Sequence, residues 1–323
     1  MNLSNLEELP ETVIECQKII SNLPKEISWK LPLNLHKYQE FWCYPNFLEG
    51  VMLAQKCFTP QPTDIILCTL PKSGTTWLKA LCFAIFARSQ YSDGSKINPL
   101  LKKMPHDIVP VLEFLYCMGR QRDSRTPLLS THVPYASLPK SIIKCSTCKV
   151  IYMCRDPKDV FISQWHFVCR QLDIDAIPLQ EAFDKFCIGL SAYGPYWDNI
   201  LGYWKASLEH PEKILFLKYE DLQHDTLFYV KRIAEFMGYP FTAEEERQGI
   251  VQNIVNLCSF ESLSNLEVNK SDKIGTAFPS KFENNAFFRK GKVGDWKNYL
   301  TPEMVKRLDQ ITKDKFNGSG ITF

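Results

Sequence analysis

The stretch "TDIILCTLPKSGTTWLKALCFAIFARS", residues 63–89, restricts the fold more than any other. A short apolar run (63–70) reads as a buried strand, because it is β-rich and bounded by a turn signal. From Thr75 to about Ser89 apolar residues recur at helical spacing. Between them lies Pro71-Lys72-Ser73-Gly74-Thr75-Thr76-Trp77. A strand feeding a tight turn into a helix aims backbone N–H groups and the positive helix end at one point. Gly74 lets the backbone come close to an anion there. Ser73, Thr75 and Thr76 offer hydroxyl donors, and Lys72 offers a mobile charge. A plain turn with a helix-capping hydroxyl would account for one of these residues but not for the set. The usual nucleoside-triphosphate loop places Lys-Ser/Thr after its last glycine, whereas Lys72 and Ser73 precede Gly74.

Three further segments repeat the strand signal. "TPLLSTHVP" stops at Pro134; "CKVIYMCRDPKDVFISQWHFV" passes through Asp156-Pro157 into a helix; "KILFLKYEDL" is followed by "HDTLFYVKRIAEFMG". Asp156 suits an N-cap, Pro157 the first helical position and Gly238 a helix C-terminus. A helical region spans roughly 178–209, short helices fill 242–266, and an amphipathic helix covers about 301–316. Residues 5–23 read as an amphipathic helix, 92–99 as a loop, and 267–295 as a long polar loop. Strands alternating with helices predict an α/β fold: a mostly parallel central sheet flanked by helices. No linker composition interrupts the 323 residues, so a single domain is expected, with residues 1–60 forming an N-terminal helix and an aromatic-rich segment that suits the core or a lid over an apolar ligand.

Lys+Arg number 38 and Asp+Glu 36, a balance that argues against a nucleic-acid surface while leaving room for a local anion pocket. The N-terminus is polar and acidic, unlike a signal peptide, and charges or prolines break the apolar segments short of a membrane span. Most of the twelve cysteines sit in apolar runs, as buried thiols do. Only Cys145 and Cys148 have redox or metal-ligand spacing, with no second pair. A cytoplasmic protein without a metal is expected.

Other candidate residues are individually ambiguous. Trp77 suits stacking on a base, and equally a place in the core. Arg155 ends a strand with Ser163 two helical turns on, which fits either a second anion site or a surface ion pair. Arg289-Lys290-Gly291 within "FFRKGKVGDW" fits a phosphate clamp or a solvated charge run. His132, at the end of "LLSTH", suits a general base or a satisfied, partly buried histidine. The rings of Tyr38, Phe41, Trp42, Tyr44 and Phe47 suit a flat hydrophobic ligand or the core.

Taken together, "LPKSGTTW", "STHVP", "YMCRDPKDVFISQWHF", "LFLKYEDL", "CSFESL" and "FFRKGKVGDW" resemble the cytosolic sulfotransferase family, in the same order and at similar spacing, from about residue 40 to the C-terminus. "NFLEG", "MPHD", "GPYWDNILGYWKASLE" and "LEVNKS" look closest to plant flavonol sulfotransferases. The resemblance implies transfer of a sulfuryl group from 3′-phosphoadenosine-5′-phosphosulfate to a hydroxyl of a small acceptor. It implies that Lys72 through Trp77 hold the 5′-phosphosulfate, with Trp77 against adenine. Arg155, Ser163, Arg289, Lys290 and Gly291 would hold the 3′-phosphate, Tyr219 and Cys258 would lie beside adenine, and His132 would be the catalytic base.

A flavonol or related phenol is the expected acceptor; a brassinosteroid, a hydroxyjasmonate or a desulfo-glucosinolate is the alternative. A nucleotide kinase or a non-catalytic nucleotide-binding module is the remoter one. Three positions depart from the family pattern. Leu70 replaces a frequent Tyr, and Ser130 stands where many animal members carry Lys. The animal dimerisation pattern is half present, with Lys297 and Thr301 matching and Pro302 and Lys306 not, so a monomer is expected.

Overall fold

The computed structural model describes residues 9–29, 34–91, 96–123, 125–172, 177–270 and 283–323. Its centre is a sheet of four parallel strands: β4 (Ile65–Thr69), β5 (Leu128–Thr131), β6 (Lys149–Cys154) and β7 (Ile214–Lys218). These are the four strands expected from the sequence. Their order is β5-β4-β6-β7. The chain therefore leaves β4 to one side for β5, then crosses β4 to reach β6 on the other. That reversal opens a crevice at the carboxyl end of β4, the usual ligand position in such sheets.

Alternate residues of each strand enter two cores on opposite faces. Ile66, Cys68, Leu129, Val150, Tyr152 and Ile214 lie in one, and Ile65, Leu67, Leu128, Ile151, Met153 and Leu215 in the other. A strand buried on both faces must be apolar throughout, which is why these segments read as continuous runs. Each fully buried aliphatic side chain contributes roughly 1.5–3 kcal/mol, so substitutions to charge anywhere along β4 would be disruptive.

Helix α3 (Thr75–Ala87) follows β4 as expected. Helix Pro157–Leu172 follows β6, and Asp156 caps it by accepting from the N–H of Lys158 at 2.7 Å. Helix Thr226–Met237 follows β7 through the short helix Tyr219–His224, and Gly238 closes it at φ 84°. Within the expected N-terminal helix, α1 covers Leu9–Ser21, and residues 1–8 lie outside the described set. The C-terminal helix runs Pro302–Phe316, with the Thr301 hydroxyl accepting from the N–H of Met304.

The chain departs from the sequence reading in four places. The aromatic-rich segment before β4 contains a small antiparallel sheet, β1 (Lys25–Ile27), β2 (Asn34–Tyr38) and β3 (Phe41–Cys43), followed by α2 (Pro45–Cys57). The region 178–209 is two helices, Leu179–Cys187 and Tyr196–Glu209, separated by a turn in which Gly189 takes φ 84°. Short helices α4 (Pro105–Ile108) and α5 (Leu112–Cys117) lie between α3 and β5. The long loop 267–295 begins with one helical turn, Glu267–Lys270, and resumes at Glu283; residues 271–282 lie outside the described set.

Candidate active site

Four of the segments singled out in the sequence follow the carboxyl ends of the four parallel strands. Pro71–Trp77 follows β4, His132 follows β5, Arg155 follows β6 and Tyr219 follows β7. The sheet thus gathers them at one edge, around a cavity of about 510 Å³. Lys72, Gly74, Thr75, Thr76, Trp77, His132, Arg155, Ser163, Tyr219, Cys258, Arg289, Lys290 and Gly291 all line it. Ser73 lies fully buried within the loop itself.

The loop is a tight turn. Ser73 N–H donates to the Leu70 carbonyl at 3.1 Å, Lys72 takes φ 69°, and Gly74 takes φ 98° before α3 starts. A Cβ on Gly74 would come 2.7 Å from both Met153 Cε and Tyr219 Cδ2, so glycine is required for space as well as conformation. The loop hydroxyls are not equivalent. Thr75 Oγ1 is 2.7 Å from Thr69 Oγ1, and Thr76 Oγ1 is 3.0 Å from His106 Nε2. Ser73 Oγ is buried and has no hydrogen-bond partner among the described residues, and the same holds for Nε of Arg155 and of Arg289. Two orphaned guanidinium donors beside the cavity, with an orphaned hydroxyl inside the adjoining loop, suit an anionic ligand carrying more than one phosphate-like group.

Lys72 lies with its ammonium 4.2 Å from the Phe167 ring centroid and 5.5 Å from that of Phe287. Burial, followed by the charges of Arg289, Arg155 and Arg170, lowers its pKa to about 7. Arg155 is buried; it donates to the Lys292 carbonyl at 2.9 Å and stacks 4.4 Å over Tyr219. Trp77 meets the same Tyr219 ring edge-on at 5.4 Å. Cys258 is fully buried, and burial raises its thiol pKa well above the usual range.

The basic run 289–291 is held by two acids that sequence reasoning passed over. Asp295 pairs with Arg289 and with Lys290, the latter at 2.7 Å. Although burial opposes it, hydrogen bonds from Lys290, Arg289 and Asn298 hold the Asp295 carboxyl well below the ordinary range. Asp159, fully buried in the first turn of helix Pro157–Leu172, accepts from the N–H groups of Gly294 (2.7 Å) and Trp296 (3.2 Å). It thereby ties the basic loop to the helix that carries Ser163. Gly291 takes φ 62°, where a Cβ would fall 2.3 Å from Phe260.

His132 is fixed from two sides. Its N–H donates to Glu113 Oε1 at 3.0 Å, and its Nδ1 lies 2.7 Å from the Thr69 carbonyl. A carbonyl can only accept, so Nδ1 carries the proton and Nε2 keeps its lone pair. Burial lowers the pKa to about 4 although the Thr69 bond opposes it, with Lys79 adding a smaller depression. The imidazole is therefore neutral at ordinary pH.

Of the N-terminal rings, Tyr44 and Phe47 line the cavity, whereas Tyr38, Phe41 and Trp42 do not. Phe41 is core, and the Tyr38 hydroxyl donates to Gln55. Trp29, Phe114 and Tyr193, none of them singled out in the sequence, complete the apolar end. Ser130 is buried and donates to the Pro110 carbonyl at 3.1 Å, remote from any acceptor-orienting role.

Fold and site together define an α/β protein in which a loop rich in hydroxyls with one lysine, a basic run and a strand-end histidine surround one cavity. The sulfotransferase domain model matches residues 62–320, and the chain belongs to that family of transferases. Cytosolic sulfotransferase 17 of Arabidopsis thaliana is 50% identical over 94% of this chain and 89% of its own. Flavonol 3-sulfotransferase of Flaveria bidentis is 47% identical over 94% of this chain and 99% of its own. Among solved structures, a mouse sulfotransferase in complex with PAP superposes with a TM-score of 0.66 at 25% identity, covering 88% of this chain and 95% of that one.

Proposed function

We propose that this protein transfers the sulfuryl group of 3′-phosphoadenosine-5′-phosphosulfate to a phenolic hydroxyl of a small, flat acceptor, a flavonol or close relative. The observation that carries the reading is the fixed tautomer of His132, whose free Nε2 shares a cavity with Lys72 and the anion loop. In the reaction the acceptor oxygen forms a bond to sulfur as the bond between sulfur and the 5′-phosphate oxygen breaks. The acceptor proton passes to His132 Nε2, and the products are a sulfate ester and PAP, the desulfated nucleotide. Such transfers depend on alignment and on stabilising charge that grows on the leaving oxygen. Lys72 supplies that charge, Ser73 to Thr76 hold the 5′-phosphate, and Trp77 and Tyr219 flank the base. Arg155, Ser163 and residues 289–291 bind the 3′-phosphate, a group absent from ordinary ATP. Cys258 packs on the adenine side.

The flavonol assignment draws on the name of the Flaveria relative and on an apolar end lined by Trp29, Tyr44, Phe47, Phe114 and Tyr193. Labelled donor offered with a flavonol, a brassinosteroid, a hydroxyjasmonate and a desulfo-glucosinolate tests it. The flavonol should show the highest kcat/KM; a higher value for any of the others would replace that acceptor class. Light scattering should give a monomer at all working concentrations.

A further inference from the structure

Lys79 has no part in the chemistry above, yet its side chain is 0% exposed. It sits on α3 one turn after Thr75, behind the anion loop. Among the described residues no carboxylate pairs with it; its Nζ lies 2.9 Å from His106 Nδ1. His106, on α4 and only 3% exposed, places Nε2 3.0 Å from Thr76 Oγ1 and tilts its ring against Phe287 at 4.7 Å. A buried ammonium without a carboxylate partner is costly, and such a group belongs where a counter-charge arrives.

The chain Lys79–His106–Thr76 also has a direction. An ammonium only donates, so a charged Lys79 requires His106 Nδ1 to accept. The ring proton then sits on Nε2 and is donated to Thr76 Oγ1, which frees the threonine hydroxyl hydrogen for an anion. A neutral Lys79 permits the opposite tautomer, in which Thr76 donates to His106 and shows the anion only lone pairs.

We propose that Lys79 and His106 form a positioning relay that turns the Thr76 hydroxyl hydrogen toward the donor's 5′-phosphate and couples donor binding to uptake of a proton on Lys79. This rests on the reading of Pro71–Trp77 as the donor loop. Burial brings the Lys79 pKa to about 7, with the charges of Glu113 on α5 and Asp107 on α4 opposing. Burial first, then Lys79, His132 and Lys72, keeps His106 neutral. An incoming phosphate restores the charge on Lys79, and on Lys72, which also titrates at about 7.

Calorimetric titration of the intact protein with PAP at pH 8, in buffers of different ionisation enthalpy, counts the protons taken up. Two lysines that are each about one-tenth charged when free and fully charged when bound take up about two protons. Lys72→Met should leave about one, and so should Lys79→Met. Lys79→Met and His106→Leu should each weaken PAP binding about tenfold. The double variant should be no weaker than either single one, because the residues act in series. His106→Gln, whose amide both accepts from Lys79 and donates to Thr76, should stay within about threefold of the parent.

Zero uptake in Lys72→Met overturns the relay, because that variant keeps Lys79, His106 and Thr76 in place. Parental affinity and uptake in a folded Lys79→Met, or additive losses in the double variant, overturn it as well. Failure of the parent protein to bind PAP would instead overturn the donor reading, and the relay with it.

Discussion

Gly74→Ala is the substitution whose effect follows most directly from geometry. The backbone there takes φ 98°, well inside the region that side-chain-bearing residues avoid. Adopting it costs an alanine ~1–2 kcal/mol, offset by ~0.4–1 kcal/mol from a less flexible unfolded chain. The added methyl would also lie 2.7 Å from Met153 Cε and 2.7 Å from Tyr219 Cδ2. A methionine end yields readily, but Tyr219 is held by Arg155 at 4.4 Å and by Trp77 at 5.4 Å, so it cannot swing without disturbing both. Overpacking of this kind costs ~1–3 kcal/mol. The sum is a loss of about 1–5 kcal/mol, together with donor binding weakened at least tenfold, since the displaced ring borders the proposed donor site. Gly238→Ala is the control, because φ is 84° there and, among the described residues other than its chain neighbours, nothing lies within 4 Å of the new Cβ. It should show the conformational cost alone. Urea unfolding and PAP titration of both variants measure the two effects. A Gly74→Ala protein that loses no more stability than Gly238→Ala and binds PAP normally would show that Tyr219 yields freely to a side chain at position 74.

Lys72→Met should lower kcat at least about a hundredfold while PAP still binds, because the charge is proposed to act at the leaving oxygen; near-normal turnover would remove Lys72 from the chemistry. His132→Ala should lower kcat by about 10²–10⁴ with donor affinity unchanged, as expected for loss of a general base. Donor kcat/KM should fall through the loss of the Lys72 charge by about fivefold from pH 7 to 8 and about tenfold from pH 8 to 9. In the free protein Lys72 loses its proton through a pKa of about 7, and the donor binds the charged form. A flat profile from pH 7 to 9 would mean that the donor does not draw on this charge.

The parallel sheet was legible in sequence because strands buried on both faces are unbroken apolar runs. Strands β1 to β3 were not. β1 and β3 have three residues each, β1 is exposed throughout, and the aromatics between 38 and 47 show no period-2 alternation to mark an edge. The same contrast holds in the site. Pro71–Trp77 and Arg289–Gly291 are contiguous, so their composition announces them. Lys79 and His106 meet across 27 residues, and Glu113 reaches Thr131 across 18. In the sequence Lys79 is a break in an apolar helix and Glu113 an ordinary acid. Only the packing of α4 and α5 against α3 and β5 brings them to the anion loop and to His132.

Asp159 is the sharpest instance, and it carries a last prediction. Read from sequence it is a favourable acid in a first helical turn. In the structure its two oxygens accept separately, Oδ2 from Gly294 N–H and Oδ1 from Trp296 N–H, while Arg155 Nη2 stands 3.9 Å from Oδ2. Asparagine preserves the shape but replaces one acceptor with an NH₂ group. One backbone N–H is then left facing a donor, and the charge beside Arg155 is lost. An orphaned buried donor costs ~1–3 kcal/mol, and here that cost falls on the loop holding Arg289, Lys290 and Gly291 against the cavity. Asp159→Asn should therefore lower stability by about 1–3 kcal/mol and weaken PAP more than adenosine 5′-phosphate, because only PAP carries the 3′-phosphate that the clamp is proposed to hold. Equal weakening of the two nucleotides would show that Asp159 stabilises the fold without positioning the clamp.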